Sequence, residues 1–568
     1  MGNASQKISG LNAFTRLAAI TASIIIVAWA ASLIRFRIDL TEDHRYTLSA
    51  PTRKILSGLK NDIYIEVYLD GDIQIPLKRL RRSVMETLEE FRIASGRKVD
   101  YRFINPMEGS SEQRKNMAES LVKKGLTYVR AVSNDQEGGS SEKYIFPGMI
   151  INYNGIEVPV NFLNNNSAIP YEQRILHSAE ALEYNVIQTI STLSSDTIYK
   201  VAFLEGHGEL SEVETADITL SLAKYFTVDR GTIGGRPGAL DRYSAVVIAG
   251  PKDEFSEADK FVIDQYIMKG GRVLWLFDEV YVNNDSLALG ETAAIYRPLN
   301  IEDQLFRYGA RVNPAIVRDV DCQMIRIKVV GSNGNQQYVP VPWIYYPLLS
   351  PSSKHPLTRN LNRIRGEFVN YIDTVGLDTS IRKTVLLRTS KYTRLLTPPA
   401  LVSLSETQTY PDEKEYNLSY LPVALLLEGR FSSVFRNRMI SSFIDVNQGS
   451  ILNKSPFTRM IVVADGDIIR NEVRHSGRNE VPQRLGQDPL SGEIYGNSDF
   501  IVNCLNYLVD DKGLMELRSR EMKIRLLDPS KVRSERLKWQ LINIACPVLL
   551  VLIAGFLYNY YRKRRYTG

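Results

Sequence analysis

The sequence predicts an α/β protein: a thioredoxin-like N-terminal domain plus a parallel-sheet domain of flavodoxin- or amidotransferase-like, non-catalytic type, flanked by two transmembrane helices. Three observations predict it. Strand-like and helix-like runs alternate from residue 62 onward. The strand-like runs after residue 199 are short and continuously apolar, as strands covered on both faces are. Only two long stretches are strongly apolar, one near each end.

Residues 1–16 form a basic tail carrying Lys7 and Arg16 and no acid. An uncharged stretch, LAAITASIIIVAWAASLI, then opens at Leu17 and closes at Ile34. At about 1.5 Å per residue its 18 positions reach roughly 27 Å, close to a hydrocarbon core. A cleaved signal peptide is the rival reading, because Ala28-Trp29-Ala30 imitates a cleavage site, but the apolar character persists through Ile34.

Residues 39–196 make up the thioredoxin-like domain. IYIEVYL from Ile63 reads as a strand, and the run from Pro76 reads as a helix, with Leu80, Val84, Leu88 and Phe91 at three-to-four spacing. VDYRFINP is a second strand, and a helix over 112–123 follows. Strands near 127–132 and over 144–153, a hairpin at Asn154-Gly155 and a helix over 171–192 complete a βαβα then ββα order. Without a CxxC pair such a domain has no thiol redox centre.

Residues 197–511 make up the parallel-sheet domain. Strand 201–204, a helix through about Phe226, strand 244–249, helix 256–268 and strand 273–277 form successive βαβ crossovers. TVLLRTS, LPVALLLEG and MIVVADGD supply later strands, and the Pro-rich stretch over about 320–365 reads as an irregular insertion. Residues 512–538 connect to the second span, 539–561, which Trp539 introduces and whose apolar run opens at Leu541 and ends at Tyr561. Its Pro547 is tolerable in a membrane helix. Residues 562–568 are a basic tail with Arg562, Lys563, Arg564 and Arg565.

The net charge of +6 resides in these two tails. Basic residues beside a span are retained in the cytoplasm, which places both termini inside and residues 35–538 outside, although Arg35, Arg37, Lys531, Arg533, Arg536 and Lys538 oppose the bias. Because the excess lies at membrane flanks, nucleic acid is not an expected partner. Of the cysteines, Cys322, Cys504 and Cys546, the first two could pair, but no spacing argues for it.

The residues with chemical potential cluster at strand ends. LEGHGE places His207 between Glu205 and Glu209 on a glycine turn. A carboxylate beside an imidazole raises its basicity, so His207 and Glu209 could serve a hydrolase or transferase, yet no nucleophile, G-x-S-x-G or H-E-x-x-H accompanies them. Gly206-x-Gly208-x-x-Ser211 with Asp229 imitates a dinucleotide fingerprint, but its third position is wrong. Two further pairs, Asp278-Glu279 after LWLF and Asp465-x-Asp467 after IVVA, fall short of calcium's six or more oxygens. Glu205, His207, Glu209, Asp278, Glu279, Asp465 and Asp467 are therefore expected as a ligand or partner surface, with no catalytic, cofactor or metal assignment. A saccharide or peptidoglycan fragment near His207 is one alternative use. No G-x-x-x-x-G-K-[ST] occurs, so any ATP must be bound by a partner.

IDLTEDHRYTLS, FLEGHGE, YSAVVIAGP, KGGRVLWLFDE, HPLTRNLN, LPVALLLEGRFSSVFRNR, MIVVADGDIIRNEV and LRSREMKIRLLD occur in this order along almost the whole chain. In these pieces the sequence resembles the ABC-type auxiliary family that contains the gliding-motility protein GldG. The resemblance implies a non-enzymatic periplasmic subunit anchored in a bacterial inner membrane, beside the permease GldF and the ATPase GldA, in gliding motility and type IX secretion. A domain related to this family is proposed in intraflagellar transport proteins, which implies scaffolding as much as solute capture. A cell-wall or periplasmic protein partner and a homodimer within the complex stay open.

Overall fold

The computed structural model describes residues 47–134, 140–163, 169–195, 199–330, 336–376, 379–438, 451–477, 479–519 and 529–566, with positions 19, 21–23 and 26. The first predicted span, apart from those five positions, and the tail 1–16 lie outside the described residues. The described residues over 47–519 belong to one compact unit and those over 529–566 to a second.

The N-terminal lobe begins with α1 (Ala50–Ser57), whose N-terminus is capped by the Ser49 hydroxyl and started by Pro51. Then follow β1 (Ile63–Val67), α2 (Ile75–Ala94), β2 (Val99–Phe103), α3 (Ser111–Lys123), β3 (Gly148–Tyr153), β4 (Ile156–Asn161) and α4 (Tyr171–Ser194). The four strands order β2-β1-β3-β4. β1 runs parallel to β2 and antiparallel to β3, and β3 and β4 form a hairpin. Its two turn residues, Asn154 (φ 53°) and Gly155 (φ 85°), adopt the positive φ that a two-residue hairpin demands. The predicted α2 face is buried, with Leu77 joining it. The single strand expected over 144–153 is two: Ser140–Ile145 pairs with Val129–Asn134 in a side hairpin, and β3 starts afresh at Gly148. Pro147 lies between them and has no N–H to continue a ladder.

The main sheet is built from β5 (Lys200–Glu205), α5 (Ala216–Leu222), β6 (Thr227–Thr232), β7 (Ala245–Ala249), α6 (Glu257–Met268), β8 (Val273–Leu276), α7 (Glu302–Tyr308), β9 (Cys322–Val330), β10 (Gln336–Pro351), β11 (Ile381–Arg388), β12 (Pro422–Ser432), β13 (Lys454–Val463) and α8 (Asn497–Val509). Strand order is β9-β10-β11-β12-β13-β8-β7-β5-β6, with Ile364–Arg365 paired to β10. Only the half from β6 to β13 is parallel. From β13 to β9 every pairing is antiparallel, so the parallel sheet expected from sequence is a mixed one.

Alternation assigns the faces. Val201, Phe203, Val247 and Leu274 share a core with the N-terminal lobe, whereas Leu204, Val246, Ile248 and Trp275 pack under α6 and α7. The helix expected through Phe226 is shorter, ending at Leu222. The stretch over 320–365 is not irregular: β9 and β10 form a long hairpin that extends the sheet. Pro340 and Pro342 sit two apart, so both missing N–H groups fall on one edge of β10, which is how a strand accommodates proline. Cys322 and Cys504 are free thiols.

In the second unit α9 (Pro529–Tyr566) contains the predicted second span. Residues Arg533–Arg565 include a window of mean hydropathy 2.4, none of it buried, long and apolar enough to cross a membrane. Among the described residues it is the only such helix.

Candidate functional site

β6 and β7 flank β5 on opposite sides, so the chain reverses its direction of winding there and leaves a crevice at the strands' carboxyl ends. Gly206-His207-Gly208-Glu209 occupies that place. Gly206 (φ 114°) and Gly208 (φ 68°) turn the backbone, and a Cβ on Gly208 would come within 3.0 Å of Lys252 and Asp253. The His207 carbonyl accepts from the N–H groups of Lys252 (2.7 Å) and Asp253 (2.9 Å), joining the β5 and β7 turns.

The His207 side chain is enclosed. Its ring stacks on Phe255 at 3.7 Å with a 13° tilt, Nδ1 lies 3.0 Å from Glu209 Oε1 and Nε2 lies 3.2 Å from Asp259 Oδ2. The residue is 5% exposed. Burial alone would lower the imidazole pKa, but the two carboxylates outweigh it and raise it, so the imidazolium can donate to both. Asp259 is itself held: Oδ1 accepts from Gly235 N–H at 2.7 Å and Oδ2 from the Ser256 hydroxyl at 2.9 Å. Glu205 does not join His207. It pairs with Arg230 Nε at 2.7 Å, and that guanidinium also reaches the Thr215 hydroxyl and the Leu210 carbonyl. Sequence reasoning missed Asp259, Phe255 and Arg230; Ser256 with Asp259 three residues later is a capping signal, but it carries no information about His207.

Asp278, Asp465 and Asp467 meet at the neighbouring carboxyl ends of β8 and β13, one oxygen of each within 4.8 Å of the others. Burial, then mutual repulsion, pushes Asp278 and Asp465 far above the usual carboxylate range. Asp467 is pushed up to about 6, burial prevailing over Arg470. Asp465 accepts from the N–H groups of Asp467 and Glu367, and Asp278 Oδ2 accepts from Gly466 N–H at 2.9 Å. Asp278 Oδ1 is buried without a partner. Glu367 bridges Arg365 and Arg470 beside them, and Arg365 reaches Glu472 at 2.8 Å. Glu279 stands apart from the three aspartates, its carboxyl pushed up to about 8 by burial and then by Glu302. This arrangement can store protons. Three carboxylates, each with at least one oxygen held by a backbone N–H or by Arg470, offer few oxygens for calcium.

The family model described as "ABC-type uncharacterized transport system" matches residues 199–504, from β5 into α8. The chain belongs to this family. It is accordingly an accessory component of an ABC-type transport system, associated with that system's other components and with the membrane. A second model, "Domain of unknown function (DUF7088)", matches residues 42–152 in the N-terminal lobe. An uncharacterized protein of Borreliella burgdorferi is 21% identical over 562 residues, spanning 95% of this chain and 96% of its own. The solved mmIFT52 N-terminal domain is similar to 55% of this chain and 97% of its own, at 12% identity and a TM-score of 0.31.

Proposed function

We propose that this family member is the membrane-anchored, non-enzymatic subunit of a GldG-type assembly. Two spans pack beside a GldF-type permease, a GldA-type partner hydrolyses the ATP, and the body over 39–511 stands in the periplasm of a bacterial inner membrane, where it contacts envelope partners in gliding motility and type IX secretion. The observation that carries this reading is α9, apolar and unburied and closed by Arg562, Lys563, Arg564 and Arg565. The lack of a phosphate-binding loop in the sequence supports a separate ATPase. The β2-β1-β3-β4 order with only β3 reversed supports a thioredoxin-like lobe, and the β6-β5-β7-β8 half supports a flavodoxin-like one. Saccharide binding or hydrolysis at His207 finds the ring already engaged by Glu209, Asp259 and Phe255.

The test is purification of the tagged chain in mild detergent from its own cells, with both termini probed by membrane-impermeant thiol labelling of introduced cysteines. A polytopic permease and an ATPase should copurify, and both termini should be shielded from outside reagent. A solitary monomer, or a terminus labelled from outside, overturns the reading.

A further inference from the structure

A cleft of about 390 Å³ lies between α4 of the N-terminal lobe and α8 with the segments 360–362 and 484–496 of the main domain. Clefts of this size between lobes are the usual seats of small ligands. Some of the charges at its wall are engaged, Asp217 by the Leu485 N–H and Arg518 by Asn503, but others are not. The side chains of Lys224, Arg484 and Asp499 have no hydrogen bond or ion pair among the described residues, although all three line the same space. They are nonetheless within electrostatic reach: burial holds the Asp499 carboxyl above its usual range against the opposing pull of Arg518, Lys224 and Arg484. Asp499 is exposed to solvent and lines the cleft.

Beside these charges the lining changes character. The Tyr225 hydroxyl and the Asn185 carboxamide have no hydrogen-bond partner among the described residues. A ring with an unpaired hydroxyl and a free amide suit hydroxyl groups on a flat body. Counting Arg174, Arg518, Glu180 and Asp217 as well, the wall carries four cations against three carboxylates, and with Lys224 and Arg484 free to turn to a ligand this balance suits an anion.

We propose that this cleft binds an acidic saccharide, a sugar carrying a carboxylate or a phosphate, with the anion on Lys224 and Arg484 and the hydroxyls on Asn185, Tyr225 and Asp499. Lys224, Tyr225, Arg484 and Asp499 stand on the main-domain side and Asn185 of α4 on the other, so the ligand ties the two lobes together. This inference is independent of how the chain sits in the membrane.

The experiment is calorimetric titration of the full-length protein in lipid nanodiscs with glucuronate, glucose 6-phosphate, glucose and inorganic phosphate. One of the two acidic sugars should bind about tenfold more tightly than glucose and than phosphate alone, since a charge-assisted contact exceeds a neutral one by about that factor. Which acidic sugar binds distinguishes carboxylate from phosphate. Lys224→Ala with Arg484→Ala should abolish that preference while leaving a cooperative melt, because both side chains are exposed and hydrogen-bonded to nothing among the described residues. Tyr225→Phe should weaken the sugar severalfold and leave phosphate unaffected. Heatless titrations with both acidic sugars up to about 10 mM, equal binding of glucose, equal binding of phosphate, or an unaltered double variant would each overturn the assignment.

Discussion

Two carboxyl ends of one sheet make an instructive pair. At the end of β5 the acids outnumber the base two to one, yet His207, Glu209 and Asp259 form a closed set in which every ring nitrogen faces a carboxylate. At the ends of β8 and β13 three aspartates converge, and the nearest guanidinium, on Arg470, is shared with Glu367. The first arrangement fastens a turn by attraction. The second keeps like charges in low dielectric, where protons must substitute for counter-charges. Glycine turns rich in acids therefore have opposite electrostatics according to what the neighbouring strand delivers.

The largest expected effect comes from breaking the closed set. His207→Ala leaves Glu209 and Asp259 buried without a cation and removes the face on Phe255, so the full-length protein should lose about 3–5 kcal/mol of unfolding stability in detergent; a loss below about 1 kcal/mol would mean that water replaces the ring. Next is the aspartate cluster. Asp278→Asn keeps an acceptor for Gly466 N–H and removes a charge, so the variant should be more stable than the parent by about 1 kcal/mol at pH 8.

The sign of the pH dependence follows from the raised values. A carboxyl with a raised folded pKa stabilises the fold below its unfolded value and ceases to as pH climbs through the folded one. For Asp467 that window runs from 3.8 to about 6, and for Glu279 from 4.5 to about 8. The advantage of Asp278→Asn should accordingly vanish in acid and grow with pH, as read from denaturant melts across the range; an advantage confined to acid would contradict the clustering. His207 behaves alike in sign, its contribution complete below 6.5 and lost as pH rises through its higher folded value. The smallest effect sharpens the closed set from its outer layer. Ser256→Ala removes the N-cap of α6 and one contact to Asp259, and should cost about 1 kcal/mol in the same melts; a cost near that of His207→Ala would show that the serine, not the imidazole, holds the turn.

Much of the architecture was legible locally. The apolar runs of β5, β7 and β8, the α2 face and the Asn154-Gly155 hairpin each follow from side chains within a few residues of one another. What escaped is what depends on distant partners. The antiparallel half was invisible because a fully buried strand carries the same apolar run in either direction. The prolines of β10 concealed a long strand because an unpaired edge excuses them. At the candidate site, the turn at His207 was readable but its use was not, since Asp259 is 52 positions away and nothing local marks it. Asp278 and Asp465 were named as separate strand ends, and only the adjacency of β8 and β13 unites them.

That adjacency also governs the order in which the protein can be finished. Val273 of β8 pairs with Met460 of β13, and nothing earlier in the chain occupies that side of β8. A ribosome adding about 5–20 residues per second leaves β8 as a raw, wholly apolar edge for roughly 10–40 seconds before its neighbour emerges. Such an edge invites pairing with other nascent chains. The last third of the gene product thus serves as the guardian of the middle third, and truncations that stop short of residue 454 should accumulate as aggregates rather than as shortened but orderly domains.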